Sequence, residues 1–394
     1  MLVWLGICAV LAFLAALLAL FNAVLPAPTF HIFFAAGALP LIFGAIIHFV
    51  PVLTRSGPPA SVIRWLPLVV QLAGVATPFG LAGSLPQWSL HAAATTVSVA
   101  ALVLLSWTTR RLRVTLGTPH PGARWYGAAL LCLFLAVSVV PVWLVLPELR
   151  PALRLFHLHL NMLGFIGLAA LGTLPVLLPT ILGRPEPDAG NRLRRDLPIA
   201  VSGAVLVAAG AASSAWLAVV GALLLGWVTA RTLFAWQRVS GVHSVSGVHS
   251  IVGAGHTASA ASAASLAGAT LGLLLLMALG IVHGFGWVEA RPALAAYVAL
   301  FLLPLVTGAL SHLLPVWRHP GVVSSRRAAM TQGLARGGQW RALLFLVGGL
   351  LLVFDQAGGI YPVAAGLLLF AAALLRAFWL DRAGSSDDNS RPIP

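Results

Sequence analysis

The feature that most constrains this chain is a series of apolar runs, each near 20 residues long, that recur from Leu2 to Leu380. A helix needs roughly 20 apolar residues to cross ~30 Å of hydrocarbon, and only helices and closed barrels satisfy every backbone group there. The runs do not alternate apolar with polar residues, which excludes a β-barrel. The fold class expected is therefore an all-α polytopic membrane protein. Hydropathy places about twelve transmembrane helices near residues 2–22, 30–53, 63–82, 88–109, 124–146, 154–182, 197–213, 215–236, 264–287, 292–317, 339–354 and 360–380. With 60% hydrophobic and 8% charged residues, the chain lies far from soluble composition.

The formal net charge of +14 would suggest a nucleic-acid partner in a soluble protein. Here the arginines sit in short loops between spans, so no nucleic acid is expected and the lipid bilayer is the partner. Loops after even-numbered spans carry them: Arg55 and Arg64, then Arg110, Arg111, Arg113 and Arg124, and further clusters about Arg194 and Arg327. Loops after odd-numbered spans are nearly bare. The positive-inside rule then puts both termini in the cytoplasm of a multi-pass protein of a bacterial-type inner membrane. The first run, 1–21, lacks a basic leader and is expected to be a span. Cys8 and Cys132 both fall in spans and form no CxxC pair.

A repeat lies inside this pattern. LPLIFGAIIHFVPV at 39–52 and LPLVTGALSHLLPV at 303–316 share Leu, Pro, Leu, Gly, Ala, His, Pro and Val in register. A weaker copy in the sixth span sets Gly172 to Leu177 where His48 to Leu53 fall. The chain thus divides into three pseudo-repeated four-helix units near 1–115, 120–238 and 264–382, within one transmembrane domain, with the motif on the second helix of each. Between the second and third lies 239–263, a low-complexity segment containing SGVHSV and SGVHSI in tandem. It is expected to be a cytoplasmic loop with incidental His243, His249 and His256. A polar tail, 383–394, is expected to be disordered.

Ionisable groups inside a bilayer are functional candidates by default, and here they are almost all histidines. Glu148, Glu289 and Asp355 fall at outer ends. His31, His91, His157 and His159 begin spans that enter from outside, and His283 ends one that exits there. His48 and His312 lie near inner ends; seventeen positions of helix, roughly 25 Å, separate His48 from His31, too far for one metal ion. In the sixth span His157 and Asn161 share a helical face with Gly164, where a missing side chain would admit a flat ligand, while His159 points nearly the opposite way. Neutral imidazole suits haem iron, copper or zinc, and the lack of nearby carboxylates and thiolates favours haem or copper. His31, His157 and His159 are the preferred ligands, His91 and His283 secondary ones, and Asn161 an orienting donor. The plainer alternatives are helix packing for His91, interhelical hydrogen bonding for His48 and His312, solvation for His120 and His319, and bundle shaping for the prolines.

HIFFAAGALPLIFGAIIHFVP at 31–51 resembles the helix of haem-copper oxidase subunit I whose outer histidine ligates a low-spin haem. HLHLNMLGFIG at 157–167 is similar to the sixth helix of C-type oxidases, where a histidine ligates copper, and TGALSHLLP at 307–315 looks like the inner half of the tenth. The layout also resembles the related NnrS-type membrane proteins. The resemblance implies haem b or copper as cofactor, with His31 as a haem ligand and His157 or His159 as a copper ligand. It implies a role in nitric oxide or respiratory-metal metabolism with a redox partner that the residues do not identify. The chain departs from the oxidases in lacking an outer histidine pair near Arg291 and copper histidines on the seventh helix, so an oxygen-reducing enzyme is not expected. The alternatives are a histidine-lined transporter or metal permease, and a cofactor-free structural or assembly subunit.

Overall fold

The computed structural model describes residues 1–22, 25–115, 117–184, 186–241, 253–287, 293–322, 324–354 and 356–388. His243, His249, Glu289, Arg291, Asp355 and the last six residues of the tail lie outside them.

The described residues form helices and no strands. They are α1 (Leu2–Phe21), α2 (Pro26–Leu53), α3 (Ser61–Leu81), α4 (Trp88–Arg113), α5 (Gly122–Val145), α6 (Pro147–Ile181) and α7 (Ala189–Ser213). There follow α8 (Ala215–Gly241), α9 (Gly253–Gly284), α10 (Ala293–Arg318), α11 (Ser325–Ala335), α12 (Gly338–Val353) and α13 (Ile360–Asp388). Among the described residues eleven of these are long and apolar enough to cross a bilayer. The protein is an all-α, multi-pass membrane protein. The expected span at 339–354 is α12, of 16 residues, about 24 Å at ~1.5 Å per residue.

Three boundaries differ from expectation. Helix α9 begins at Gly253, inside the segment expected to be a loop, because the alanine-rich run after it has high helix propensity. Helix α13 runs through Asp388, past the expected start of the tail, with no proline to stop it before Pro392. Helix α7 starts at Ala189, eight residues before the apolar run, and draws Arg192, Arg194 and Arg195 into its first turns.

Three helices differ from the rest in burial. In α2, α6 and α10 the most apolar stretch is 61%, 83% and 72% buried, against at most 39% for the other spans among the described residues. These are the second helices of the three sequence units. Each also contains a π-helical segment: Ile32–Ala38, Leu160–Gly167 and Val298–Leu302. In α2 and α10 ordinary helix resumes at Leu39 and Leu303, the first residues of the two motif copies. The next residue is proline in both. Leu39 and Leu303 donate five residues back, to Phe34 O and Val298 O, and the prolines that follow have no N–H to continue the ladder. In hydrocarbon the carbonyls left without a donor need other partners or close cover.

The chain divides into two compact units, along lines that differ from the three sequence units. The first holds Met1–Pro175, Glu186–Thr229 and Met277–Glu289. Within it the Gln71 amide of α3 donates to Ala36 O at 2.5 Å, and the Ala35 carbonyl lies so close to Gly74 that an added Cβ would stand 2.1 Å from it. Trp125 of α5 is buried against Gly172 of α6 and donates from Nε1 to Leu193 O of α7 at 3.0 Å. Arg192 pairs with Glu186.

The second unit holds Val176–Pro185, Ala230–Leu276 and Ala290–Pro394. Here the Leu300 carbonyl lies against Gly272 of α9, where a Cβ would stand 2.0 Å away. The same solution thus serves both proline-freed segments: a glycine on the neighbouring helix admits the displaced backbone. Arg341 of α12 is fully buried and caps α11, donating to Leu334 O and Arg336 O at 2.8 Å each and to Ser311 Oγ at 3.3 Å. At the end of α10, Arg318 and His319 meet Asp381 of α13 at 3.0 and 2.8 Å. His319 was expected to be solvated; the carboxylate of Asp381, 8% exposed, holds it instead.

Candidate functional site

Of the histidines of the first unit, His31 and His157 are brought together. His31 enters α2 just before the π segment, and His157 enters α6 just before its own. Their rings stand 6.4 Å apart between centres with planes inclined by 20°. Both are half-buried. Trp143 of α5 covers His157 edge-on, its ring centre 5.3 Å away.

Hydrogen bonds fix the tautomers. His31 Nδ1 lies 2.7 Å from Ala27 O, one turn back on its own helix. His157 Nδ1 lies 2.8 Å from Ala136 O across on α5, in the turn just before the Pro141 kink. His159 Nδ1 lies 2.8 Å from Leu155 O. A carbonyl oxygen only accepts, so each Nδ1 carries the proton and donates it. In the neutral ring Nε2 then keeps its lone pair. That is the arrangement in which metal-binding histidines are held, with the other ring nitrogen donating to a backbone or carboxylate oxygen.

Asn161 also differs in detail from its expected role. Its amide donates to His157 O at 2.8 Å and lies 3.4 Å from His157 Nδ1. Since that nitrogen already donates to Ala136 O, Asn161 braces the backbone under His157 without bonding its ring.

Gly164 does not provide an open slot. A Cβ there would come within 2.8 Å of Cys132 Cβ and 2.9 Å of Leu160 Cδ1. The helical-face argument assumed α-helical phase, and the π segment beginning at Leu160 inserts extra chain per turn and rotates the residues after it. Gly164 therefore serves close packing of α6 on α5.

His159 lies two residues after His157, about 200° around the helix at ~3.6 residues per turn, with its ring bonded to Leu155 O. Among the described residues His91 on α4 does not join the His31/His157 pair, and no three His, Cys, Asp or Glu side chains converge as a metal cluster. A tetrahedral three- or four-ligand zinc site is thus not what these residues build. Neutral imidazoles with Nε2 left basic are donors that haem iron or copper would accept. The donor set fits either.

His120, expected to be solvated, is half-buried and bonded. Its backbone N–H reaches Leu53 O at 3.0 Å, and its Nδ1 accepts from the Gly122 N–H at 3.2 Å. Burial, with the Arg194 guanidinium second, holds its pKa below the ordinary value. It ties the end of α2 to the start of α5, the helix that carries Ala136 and Trp143. Sequence reasoning also missed Ala136 and Trp143 themselves. The proline at 141 was the available signal, since it opens α5 near the carbonyl that His157 uses.

Comparison with protein-family models and with curated proteins finds no match to this chain. What the fold and the histidines define is a class: a polytopic helical membrane protein in which two of its buried helices bring His31 and His157 together.

Proposed function

We propose that this protein holds a transition metal, haem iron or a copper ion, between His31 and His157. The observation that carries the proposal is the pairing of those two rings with both Nδ1 atoms already committed to carbonyls.

Each neighbour has a defined part. The Ala27 and Ala136 carbonyls hold the tautomer that leaves Nε2 basic. Asn161 fixes the helix turn from which His157 projects, and Trp143 shields one edge of that ring from water. When bound, the metal supplies one-electron transfer with both imidazoles in place, or a position for nitric oxide where one is displaced.

The resemblance to haem-copper oxidase subunit I and NnrS-type proteins supports the same reading. It adds a place in the bacterial-type inner membrane with cytoplasmic termini, and a role in nitric oxide or respiratory-metal metabolism without oxygen reduction. The burial of α2, α6 and α10 and their shared π segments agree with a three-fold repeat in which the second helices carry the chemistry. The test is an optical spectrum and metal analysis of the full chain purified in detergent. A Soret band with about one haem per chain supports the haem arm, and about one copper without a Soret band supports the copper arm. Neither would overturn the proposal and leave the histidines as helix-packing groups.

A further inference from the structure

The first five helices carry positive charge that nothing in their own sequence offsets. From Met1 to Pro147 the chain contains no Asp or Glu, yet it contains Arg55, Arg64, Arg110, Arg111, Arg113 and Arg124. Among the described residues none of these arginines is paired with a carboxylate.

Contacts bring the first five of them to one end of α2, α3 and α4. Helices α3 and α4 form an antiparallel hairpin closed at its far end, where a Cβ on Gly80 would stand 2.7 Å from Leu90 Cδ2. Arg64, in the first turn of α3, therefore shares an end with Arg110, Arg111 and Arg113 in the last turn of α4. The loop after α2 is tied to the same place: Arg111 Nη2 donates to Pro58 O at 3.2 Å, and the His120 N–H donates to Leu53 O at 3.0 Å. Arg55 Nη1 lies 4.0 Å from the Cβ position at Gly117, in the loop after α4. Arg55 itself has φ 47, the left-handed conformation that favours glycine at a helix end, so the backbone bears a cost to keep an exposed guanidinium there.

Two tryptophans mark the depth of the cluster. Trp65, 62% exposed, follows Arg64, and the Arg111 guanidinium lies over the Trp107 ring at 5.5 Å. Tryptophan beside arginine at the end of an apolar span belongs to the boundary between hydrocarbon and headgroups. We propose that this arginine cluster binds the phosphate headgroup of an anionic phospholipid of the phosphatidylglycerol class. The uncompensated charge supplies the attraction, and the tryptophans place it where a lipid phosphate lies. The inference does not depend on what His31 and His157 bind.

The test follows Tm of the full chain in nonionic detergent during titration with phosphatidylglycerol, with phosphatidylcholine and with inorganic phosphate. The expected result is a rise in Tm with phosphatidylglycerol alone. A basic side chain at an anionic surface is worth about 1 kcal/mol, so the midpoint should move about fivefold higher in Arg55→Gly and roughly twenty-five-fold higher in Arg55→Gly/Arg110→Gln. Glycine suits the left-handed backbone at position 55, so Arg55→Gly folds at least as well as the native chain. Arg150→Gln removes an exposed arginine beyond the opposite end of α5 and should leave the midpoint unchanged. An equal response of the native chain to phosphatidylcholine would overturn the proposal. Equal shifts in Arg55→Gly and Arg150→Gln would also overturn it, since net charge alone would then account for binding. Stabilisation by inorganic phosphate at the same midpoint would overturn the lipid assignment in favour of a soluble anion.

Discussion

His31 and His157 face each other at 6.4 Å, although they lie on different sequence units of the repeat and neither is bonded to the other. Each ring is oriented from behind, by Ala27 O and Ala136 O, so the pair is set by backbone and not by mutual contact. Each Nδ1 is thereby committed, and each Nε2 keeps its lone pair.

The proline-freed segments of α2 and α10 rely on glycine neighbours. Gly74→Ala and Gly272→Ala each push a methyl into a carbonyl at 2.1 and 2.0 Å. Overpacking of this type costs about 1–3 kcal/mol, and here the obstacle is backbone, so the upper end is expected. Gly280 has open space around its α-carbon position. Thermal unfolding in detergent should show a clear fall in Tm for the first two and none for Gly280→Ala, which gains helix propensity of up to ~1 kcal/mol. A Gly74→Ala protein as stable as the native one would contradict this packing.

Gln71 completes the same device. Its amide donates to Ala36 O at 2.5 Å, in the π segment just before Pro40. Gln71→Leu keeps the bulk and strands that oxygen, at a cost of about 1–3 kcal/mol. If the role is as described, Pro40→Ala in the Gln71→Leu background restores part of the lost stability by returning an N–H to the helix. No recovery in that double variant would argue against the assignment.

Much of this architecture was legible in the sequence, for a physical reason. A bilayer demands runs of about 20 apolar residues, so span positions could be read directly. Pro40 and Pro304 also announced freed carbonyls. The π segments were not legible, since an inserted residue changes helix phase without changing composition. That is why Gly164 was placed on the face of His157 and is found against Cys132. His31, His157 and His159 could be assigned to one depth by counting residues, yet only tertiary packing decides that the first two meet. His319 was misread for a related reason: its partner, Asp381, lies in another helix far along the chain.

Arg341 is buried and holds the end of α11 through Leu334 O and Arg336 O. Arg341→Ala strands those oxygens and empties the site beside Phe370. Hydrogen bonds from a charged donor are worth ~1.5–3 kcal/mol each, so the variant should be strongly destabilised or fail to accumulate in the membrane. Arg341→Lys, with one point charge in place of a fork, should recover only part of the loss. Normal stability in Arg341→Ala would refute the capping role.

His120 predicts a pH dependence. Its folded pKa lies below the ordinary 6.5, chiefly through burial and then through Arg194. The unfolded chain therefore binds more protons between the two values, and stability rises with pH across that window. The contribution is fully present above about 6.5 and is lost as pH falls through that value toward the folded pKa. Protonation of Nδ1 would also end its acceptance of the Gly122 N–H. Unfolding followed from pH ~7.5 to ~5, a range that brackets the histidine window, should show a smaller loss of stability in His120→Asn than in the native protein. Identical pH profiles would remove His120 from this role.

The central claim is that His31 and His157 act as one ligand pair, and the measurement that tests it most directly is the metal-centre spectrum of four proteins: native, His31→Ala, His157→Ala and the double variant. The account predicts a haem or copper signal in the native chain that each single substitution abolishes or converts, with the double variant no worse than the more severe single one. It also predicts that His91→Ala leaves the signal unchanged. A native signal that survives both His31→Ala and His157→Ala would contradict the account.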